Sequence, residues 1–389
     1  MTRRRVLLAG ALLLGAFLLY RWKPVNRRVA WRMDLVRTYL RGVLYPADTM
    51  PTPRPVPLAA SPTPTFTPAP PSPTSVLATA VPTPLPSPSP TPLPQNVTLP
   101  SPDWEPQDWN NCGPASLSMY LRFYGWDGDQ FDISRLLKPA REDRNVNPEE
   151  LVYYVRTRAG WLNALFRVGG DLETLKRLLA AGYPVMVEEA FYFEEPYWPK
   201  DDLWAAHYLL LTGYDDSAQT FTGQDSFYGA DRTISYAELI EKWHPFNNLF
   251  LVVYPPDSEA QIQTALGDLW NMDTARQTAL QRAQQETQET PQDAFAWFNL
   301  GSNLVYFERY DEAATAYDEA RRIGLPQRML RYQFGPFLAY FHSGRTEDLL
   351  ALTTYALQRT PNSEEALLWH GWGLYRQGKT TQAIAHFRA

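Results

Sequence analysis

The feature that most constrains the fold is a proline-rich stretch at residues 51–94, which holds 17 of the 35 prolines of the chain. Threonine, serine and alanine alternate with these prolines, so the stretch has few backbone donors and few large apolar side chains. It should form an extended, polyproline-II-like spacer. We therefore predict a disordered linker at residues 51–101. A ligand for proline-binding domains is the alternative.

The part of the chain before the linker combines a basic start with an apolar run. Three arginines within residues 1–5 precede a predominantly apolar stretch at residues 6–20, which is the pattern of an export signal or a membrane anchor. No clear cleavage site follows, so residues 1–24 are predicted to be an uncleaved single-pass anchor in the cell membrane. Residues 25–50 are predicted to be a basic juxtamembrane segment with an amphipathic helix. We expect the body outside the cytoplasm, while basic residues on both sides of the run leave the orientation open.

Charge is divided unevenly along the chain. Residues 1–45 hold ten basic side chains and one acidic side chain, so the net charge of −6 for the whole chain leaves −15 for the remainder. An acidic body offers no basic face to a phosphate backbone. We therefore expect no nucleic-acid partner.

The only cysteine of the chain, Cys112, stands where a helix is predicted to begin. Apolar side chains then recur at helical spacings of three and four: Leu117, Tyr120, Leu121 and Tyr124. A thiol at a helix N-terminus meets free N–H groups and the positive end of the helix dipole, which lower its pKa and favour thiolate. Gln107, five residues upstream, can supply a side-chain N–H as an oxyanion donor. The alternative is an ordinary buried cysteine.

Between residues 102 and 257 the pattern changes from helical to extended. Helical spacings come first, at residues 131–137, 147–159 and 172–181. Short apolar or alternating runs follow and predict four strands, at residues 184–187, 207–214, 219–226 and 248–255. Helices followed by antiparallel strands indicate an α+β domain at residues 102–257.

The second and third of these strands form a predicted hairpin that brings two polar residues together. If residues 215–218 form the turn, the residue numbers of each cross-strand pair add up to about 433. His207 then lies beside Asp225 and Ser226. A carboxylate there would fix the imidazole tautomer and stabilise its charged form. His244, the other histidine of the domain, has no comparable neighbour. Thiol, imidazole and carboxylate in this order are typical of cysteine hydrolases, and a structural histidine is the alternative.

Five stretches of this domain carry a resemblance to a known family: QDWNNCGPASLSMYL, VGGDLETLKRLLAAGYPVMVE, HYLLLTGYDD, TFTGQDS and FLVVYP. Over residues 103–255 they resemble the papain-like cysteine peptidases typified by the peptidase domain of bacteriocin-exporting transporters, family thirty-nine of the cysteine peptidases. The chain looks like the stand-alone branch of bacterial surface proteins. The resemblance implies a papain-like α+β fold and amide hydrolysis through a thioester.

The resemblance also implies a role for each residue singled out above. Cys112 would be the nucleophile, His207 the general base and then acid, and Asp225 the residue that orients the imidazole. Gln107 and the backbone N–H of Cys112 would form the oxyanion hole. Family members commonly have glycine before the histidine, whereas this chain has Ala206. The sequence contains no phosphate-binding glycine-rich loop, so bacteriocin export is not implied, and we predict no cofactor and no metal.

The stretch between Val187 and His207 is rich in aromatic and acidic residues. Because it directly precedes the proposed base, we expect it to form the rim of a cleft that selects basic or aromatic substrate side chains. A purely structural loop is the alternative.

The last third of the chain is predicted to be helical and repetitive. A connecting helix at residues 258–290 leads into residues 291–389, which show the spacings of tetratricopeptide repeats. The first copy comprises Trp297, Leu300, Gly301, Leu304, Ala313, Tyr317 and Ala320, and the last comprises Gly371, Leu374, Ala383 and Phe387. A degenerate copy lies between them, with Phe337, Tyr340, Leu349, Ala356 and Pro361. Such arrays bind peptides or proteins, so we predict a protein partner there; packing without a partner is the alternative.

Together these features predict a membrane-anchored cysteine peptidase whose substrate is a peptide or protein, followed by an all-α tetratricopeptide solenoid. Two other functions remain open. One is a catalytically inactive module that holds a peptide in its cleft and its helical array. The other is hydrolysis or transglutaminase-type chemistry on a non-peptide amide.

Overall fold

An antiparallel sheet lies at the centre of the first folded domain. The computed structural model describes residues 10–11, 14–15, 17–18, 23–44, 49–55, 92–139 and 143–389. Among them, seven strands form one sheet. Six of them pair in the order β2-β7-β3-β4-β5-β6, and the seventh, β1, pairs with the end of β4. The strands are β1 (Asn96–Thr98), β2 (Asn163–Arg167), β3 (Val185–Tyr192), β4 (Trp204–Asp215), β5 (Thr220–Asp225), β6 (Gly229–Ser235) and β7 (Phe250–Tyr254).

Helices pack on this sheet and then form a helical C-terminal region. The helices before and within the sheet domain are α1 (Lys23–Leu44), α2 (Cys112–Phe123), α3 (Gln130–Leu137), α4 (Pro148–Arg158), α5 (Leu172–Ala180) and α6 (Tyr236–Trp243). Two further helices, α7 (Glu259–Leu266) and α8 (Met272–Glu289), lead out of it. The remaining ones are α9 (Ala294–Tyr306), α10 (Tyr310–Ile323), α11 (Gly335–His342), α12 (Thr346–Arg359), α13 (Glu364–Arg376) and α14 (Thr380–Arg388). The α+β domain followed by helices agrees with the order that the sequence predicts.

Both faces of the sheet are buried, which explains why its central strands are almost continuously apolar. Val185 and Leu209 point into a core shared with α5 and α6. Their neighbours Met186 and Leu210 point into a second core shared with α2 and α4. Full burial of each such side chain contributes about 1.5–3 kcal/mol. The rigid sheet therefore carries β4 and β5, which hold the predicted histidine and aspartate.

Polar caps set the starts of three helices of this domain. Asp129 forms a reciprocal capping box at the start of α3, and Asn147 forms one at the start of α4, where Pro148 is the first helical residue. Asp171 accepts a hydrogen bond from the Thr174 N–H at the start of α5. Each cap contributes about 1 kcal/mol. These are the starts that the sequence predicts to within one residue.

The C-terminal helices share a third core. Phe298, Tyr317 and Phe337 are completely buried in it. A Cβ atom at position 301 would come within 2.8 Å of the Tyr317 ring, so Gly301 lets α9 and α10 approach closely. The repeat spacings of the sequence therefore correspond to helix-packing positions in this region.

Several predicted boundaries differ from the structure. The sequence predicts four strands, and β1, β2 and β6 were missed because each is short or lacks an apolar run. The disordered linker predicted at residues 51–101 is wrong at both ends. The Arg321 guanidinium donates to the Pro51 carbonyl, and at residues 92–101 β1 pairs with β4 and the Pro94 carbonyl accepts a hydrogen bond from the Tyr214 hydroxyl at 2.7 Å. Residues 56–91 of the predicted linker lie outside the described residues. The connecting segment at residues 258–290 contains α7 and α8 rather than one helix, because a turn at Gly267–Trp270 interrupts it.

The predicted N-terminal anchor lies largely outside the described residues. Of residues 1–24, only 10–11, 14–15, 17–18 and 23–24 are described. In the part of the chain that the structure describes, no helix has the length and apolar character needed to cross a membrane. The basic helix expected after the anchor is present as α1.

The sheet domain and the C-terminal helices are joined by polar as well as apolar contacts. His244 Nε2 lies 3.0 Å from the Asp293 carboxylate, at the start of α9. The Asn247 amide donates a hydrogen bond to Asn303 at 2.8 Å, and both side chains are buried. The sequence indicated no carboxylate partner for His244, because that partner comes from a different region of the chain.

Candidate active site

Cys112 is the first residue of α2, as the sequence predicts. Asn110 has a left-handed backbone, with φ of 52°, which turns the chain into the helix. Asn111 occupies the capping position, but its side chain makes no cap and instead donates to Gln130 at 2.8 Å. The first N–H groups of α2 therefore remain available beside the thiol. The Lys138 ammonium donates to the Asn110 carbonyl at 2.5 Å and adds positive charge close to Cys112.

His207 and Asp225 are in direct contact. His207 Nε2 lies 2.9 Å from Asp225 Oδ1, and both side chains are buried. The predicted pairing of His207 with Asp225 is present, but the predicted register is not. Paired residue numbers sum to 434 near the site and to 435 beyond a bulge between Leu211 and Gly213, because the turn lies at residues 216–219. Asp225 is therefore a diagonal neighbour of His207 across the hairpin.

The Cys112 thiol lies close enough to the imidazole for each group to shift the pKa of the other. Since Asp225 occupies Nε2, the other ring nitrogen, Nδ1, is the one that can face sulfur. Burial by itself raises the pKa of Cys112, but the hydrogen bond and charge of His207 outweigh it and lower that pKa. Burial also opposes a charged imidazole, yet the hydrogen bonds to Asp225 and Cys112 raise the pKa of His207 to about 10. Both shifts favour the thiolate and imidazolium form of the pair over the neutral form.

Asp225 is held by more partners than the sequence suggested. Its Oδ2 atom accepts from the Arg232 guanidinium at 2.8 Å, and its Oδ1 atom accepts from the backbone N–H groups of Phe227 and Tyr228 at 2.8 and 3.0 Å. Burial opposes ionisation, but the hydrogen bond and charge of His207 and these N–H groups keep its pKa well below the usual value. Arg232 was missed because nothing in the sequence shows that β6 places it beside the end of β5.

Gln107 is positioned by the residue that follows Asp225. The Ser226 hydroxyl donates to Gln107 Oε1 at 3.0 Å, and the Gln107 N–H donates to the Ser226 carbonyl at 2.9 Å. Because the amide oxygen is engaged, the amide nitrogen is free to face the cleft that Gln107 lines. Cys112 thus lies beside the hydrogen-bonded pair of His207 and Asp225, and Gln107 is attached to the aspartate end of that pair through Ser226.

Two buried glutamates beside the site were also missed. Glu188 and Glu189 belong to β3 and not to the rim loop that the sequence predicts there. Glu189 pairs with His207 in the β3–β4 ladder, and its carboxylate has no hydrogen-bond partner among the described residues. Burial raises the pKa of Glu189 to about 7, against the opposing charges of His207, Lys242 and Arg232. An additional carboxylate therefore faces the charged imidazole.

The Cys112 thiol, the buried imidazole of His207 and the buried carboxylate of Asp225, with an amide nearby, resemble the arrangement of a cysteine hydrolase. Among the described residues, no group of three or more His, Cys, Asp or Glu side chains is placed to hold a metal ion.

Comparison with known proteins matches the same part of the chain. The model of the Peptidase_C39 like family matches residues 91–250. Solved structures that match include a putative C39-like peptidase from Bacillus anthracis, with 16% identity over 41% of this chain and 98% of that one, at a TM-score of 0.33. Xylellain, a cysteine protease from Xylella fastidiosa, matches with 16% identity over 42% of this chain and 87% of that one, at a TM-score of 0.33. A double glycine motif protease from an AMS/PCAT transporter, in complex with the leader peptide, matches with 17% identity over 41% of this chain and 94% of that one, at a TM-score of 0.30. No curated protein matches the chain.

We predict that Cys112 titrates below the ordinary thiol value of about 8.5 and that His207→Ala raises the midpoint. The imidazolium is what overcomes the effect of burial, so its removal leaves burial to raise the pKa. The rate of alkylation by iodoacetamide against pH measures this, and the full-length protein has no other cysteine to react. His244→Gln is the matched control and should leave the midpoint unchanged. A wild-type midpoint at or above the ordinary value contradicts the ion pair.

Proposed function

We propose that the protein is a cysteine peptidase that hydrolyses peptide bonds with Cys112, His207 and Asp225. The observation that carries this proposal is the buried hydrogen bond between His207 and Asp225 beside the Cys112 thiol, which stands at the start of α2. The match of residues 91–250 to the C39-like peptidase family favours a peptide over another amide as the substrate.

The proposed reaction follows from the protonation states of these groups. The Cys112 thiolate attacks the peptide carbonyl carbon, and the oxyanion accepts hydrogen bonds from the Cys112 backbone N–H and the Gln107 amide. His207 gives its proton to the leaving amine, and a thioester remains on the sulfur. Neutral His207 then takes a proton from water, the resulting hydroxide attacks the thioester, and the acid product leaves.

Asp225 orients His207, and Arg232 orients Asp225. Since Asp225 Oδ1 accepts from His207 and Oδ2 accepts from Arg232, the carboxylate cannot rotate without losing one of these bonds. The imidazole is thereby held in the tautomer that presents Nδ1 to the thiol.

Substitutions in this chain should rank in a definite order of peptide hydrolysis. His207→Ala removes the proton carrier and should cost about 10²–10⁴-fold. Asp225→Asn keeps one acceptor for His207 but turns an amide nitrogen towards the Arg232 guanidinium, so activity should fall less. The activity of Asp225→Ala should lie between those of Asp225→Asn and His207→Ala, because this change removes the acceptor altogether.

The measurement is turnover of a peptide library by full-length wild type and the three variants, with folding checked by circular dichroism and Cys112→Ala as the blank. Equal activity of wild type and His207→Ala, or no cleavage of any library member by wild type, would replace the peptidase with a peptide-binding module.

We further propose that the C-terminal helices are tetratricopeptide repeats that bind an extended peptide. A described segment of the same chain, residues 49–55, supports this. Met50 inserts into the core of the helical region and is only 6% exposed. The Arg321 guanidinium donates twice to the Pro51 carbonyl, at 3.0 and 2.5 Å, and Asp348 accepts from the Arg54 N–H at 3.2 Å. An apolar anchor with contacts to the peptide backbone suits an extended ligand.

A peptide with the sequence of residues 49–55 should therefore bind the full-length protein when its own segment is displaced. Met50→Asp places a charge in an apolar core and should release the segment. Fluorescence anisotropy of the labelled peptide should show binding to this variant and little binding to wild type, whose site is filled. A peptide with the same Met-to-Asp change is the control. Equal binding of both peptides, or none to the variant, contradicts the proposal.

We also propose that residues 1–24 anchor the protein in a membrane with its body outside the cytoplasm. The basic start and the apolar run support this proposal. The Arg41 side chain of α1 donates to the Gln358 carbonyl at 2.9 Å, so the body would be held near the anchor rather than at the end of a long stalk. In cells, the protein should sediment with membranes and be cut by external protease. Recovery in the soluble fraction, or protection until the cells are lysed, contradicts this placement.

A further inference from the structure

A cleft beside Gln107 is built from both folded regions of the chain. It has a volume of about 340 Å³ and is open to solvent. One wall is Gln107–Asn110, the segment that leads to Cys112, and another is Trp198 in the loop between β3 and β4. Arg328 and Arg331, at a short turn of the C-terminal region, complete it. The C-terminal region therefore contributes side chains to a cleft lined by the segment that leads to Cys112.

Three side chains that line this cleft carry buried donor atoms without partners. Arg331 is 9% exposed, its Nε atom is buried without a partner, and no described carboxylate forms an ion pair with it. The Trp198 indole N–H and the Asn110 amide nitrogen are likewise buried and unpartnered. Among the described residues that line the cleft, these three are the only buried side-chain atoms left without partners, and all of them are nitrogen donors. A ligand that satisfies them must carry acceptor oxygens.

In the part of the chain that the structure describes, the cationic side chains that line the cleft, Arg144, Arg328 and Arg331, outnumber its one carboxylate, Asp108, which favours an anionic acceptor in the ligand. Arg328 is neutralised, because it bonds Asp201 at 2.6 Å and Asp202 at 3.1 Å. Arg331 has no such partner and only stacks on Trp198, with 5.5 Å from its guanidinium carbon to the ring centroid. Burial, with the neighbouring charges of Arg144 and Arg328, lowers the pKa of Arg331 to about 9, so it remains charged at neutral pH. Low-dielectric walls concentrate the field of an uncompensated charge, although the chain as a whole is acidic.

We propose that Arg331, together with Trp198 and Asn110, forms a subsite that binds a carboxylate of the peptide substrate. The carboxylate would accept hydrogen bonds from the guanidinium and the indole, while the aromatic walls contact the adjoining side chains. This subsite rests on the proposed peptidase function and assigns its substrate class as acidic peptides.

This preference is the opposite of the one expected from the sequence. The stretch before His207 was expected to select basic or aromatic side chains because it is rich in acidic and aromatic residues. The structure shows that its Asp201 and Asp202 are occupied by Arg328, so they are not available to a substrate. Arg331 supplies the unpaired charge instead, from a position more than a hundred residues further along the chain.

Binding of acidic peptides is tested on full-length Cys112→Ala protein, which holds peptides without cleaving them. The probes are hexapeptides of alanine and phenylalanine that contain one Glu or one Gln at each position in turn, with a free or an amidated C-terminus. Calorimetry measures each affinity. We expect a carboxylate to improve binding by about tenfold or more over its amide counterpart. A Glu-over-Gln preference assigns the source to a side chain, and a preference for the free terminus assigns it to the α-carboxylate.

Arg331→Gln should abolish this preference, whereas Arg322→Gln, an exposed arginine paired with Glu319, should retain it. If Arg331→Gln does not fold, the comparison of acidic with amide peptides on the Cys112→Ala protein, which keeps Arg331, still tests the subsite. Equal affinities for all four classes of peptide, or no binding of any, overturn the subsite. Because no cleavage is required, a carboxylate preference without hydrolysis would leave the subsite standing while the peptidase proposal fails.

Discussion

The proposed site depends on one buried carboxylate, Asp225. Its side chain is completely buried, and it accepts hydrogen bonds from His207, from Arg232 and from two backbone N–H groups. The two cationic partners could not stay close together without it, since like charges in a low-dielectric site repel strongly. The same carboxylate joins β4, β5 and β6, so the geometry of the imidazole and the integrity of this part of the sheet have a common origin. Through Ser226, the next residue, it also reaches Gln107.

Local patterns in the sequence predict the parts of this site that local physics determines. The spacing after Cys112 predicts α2, because an amphipathic helix repeats every three to four residues. The predicted hairpin places His207 beside Asp225, and the two side chains are in contact in the structure. The predicted register was wrong by one residue, but the contact still forms because the two side chains are diagonal neighbours across the hairpin. The bulge between Leu211 and Gly213 is not visible in the sequence, since no turn residue marks it. Their catalytic roles remain a prediction.

Contacts between distant segments are what the sequence could not show. The partners of Arg232 and Ser226 lie in other segments of the chain. The sequence predicts Glu189 in a polar loop, whereas in the structure it lies on β3 opposite His207. The partner of His244 belongs to the start of α9, 49 residues later. Such pairs leave no periodic signal, because neither member has to lie on the apolar face of its own element. A lone polar residue in a sequence therefore carries little information about its neighbours.

The two folded regions are coupled because each completes the other. Arg328 bonds the carboxylates of the β3–β4 loop and the Trp204 carbonyl at 2.8 Å, which fixes the loop that carries Trp198. The short turn that supplies Arg328 and Arg331 also carries Met329 and Leu330, which belong to the same core that receives Met50. The cleft and the helices that enclose Met50 are therefore built on one packed cluster of side chains.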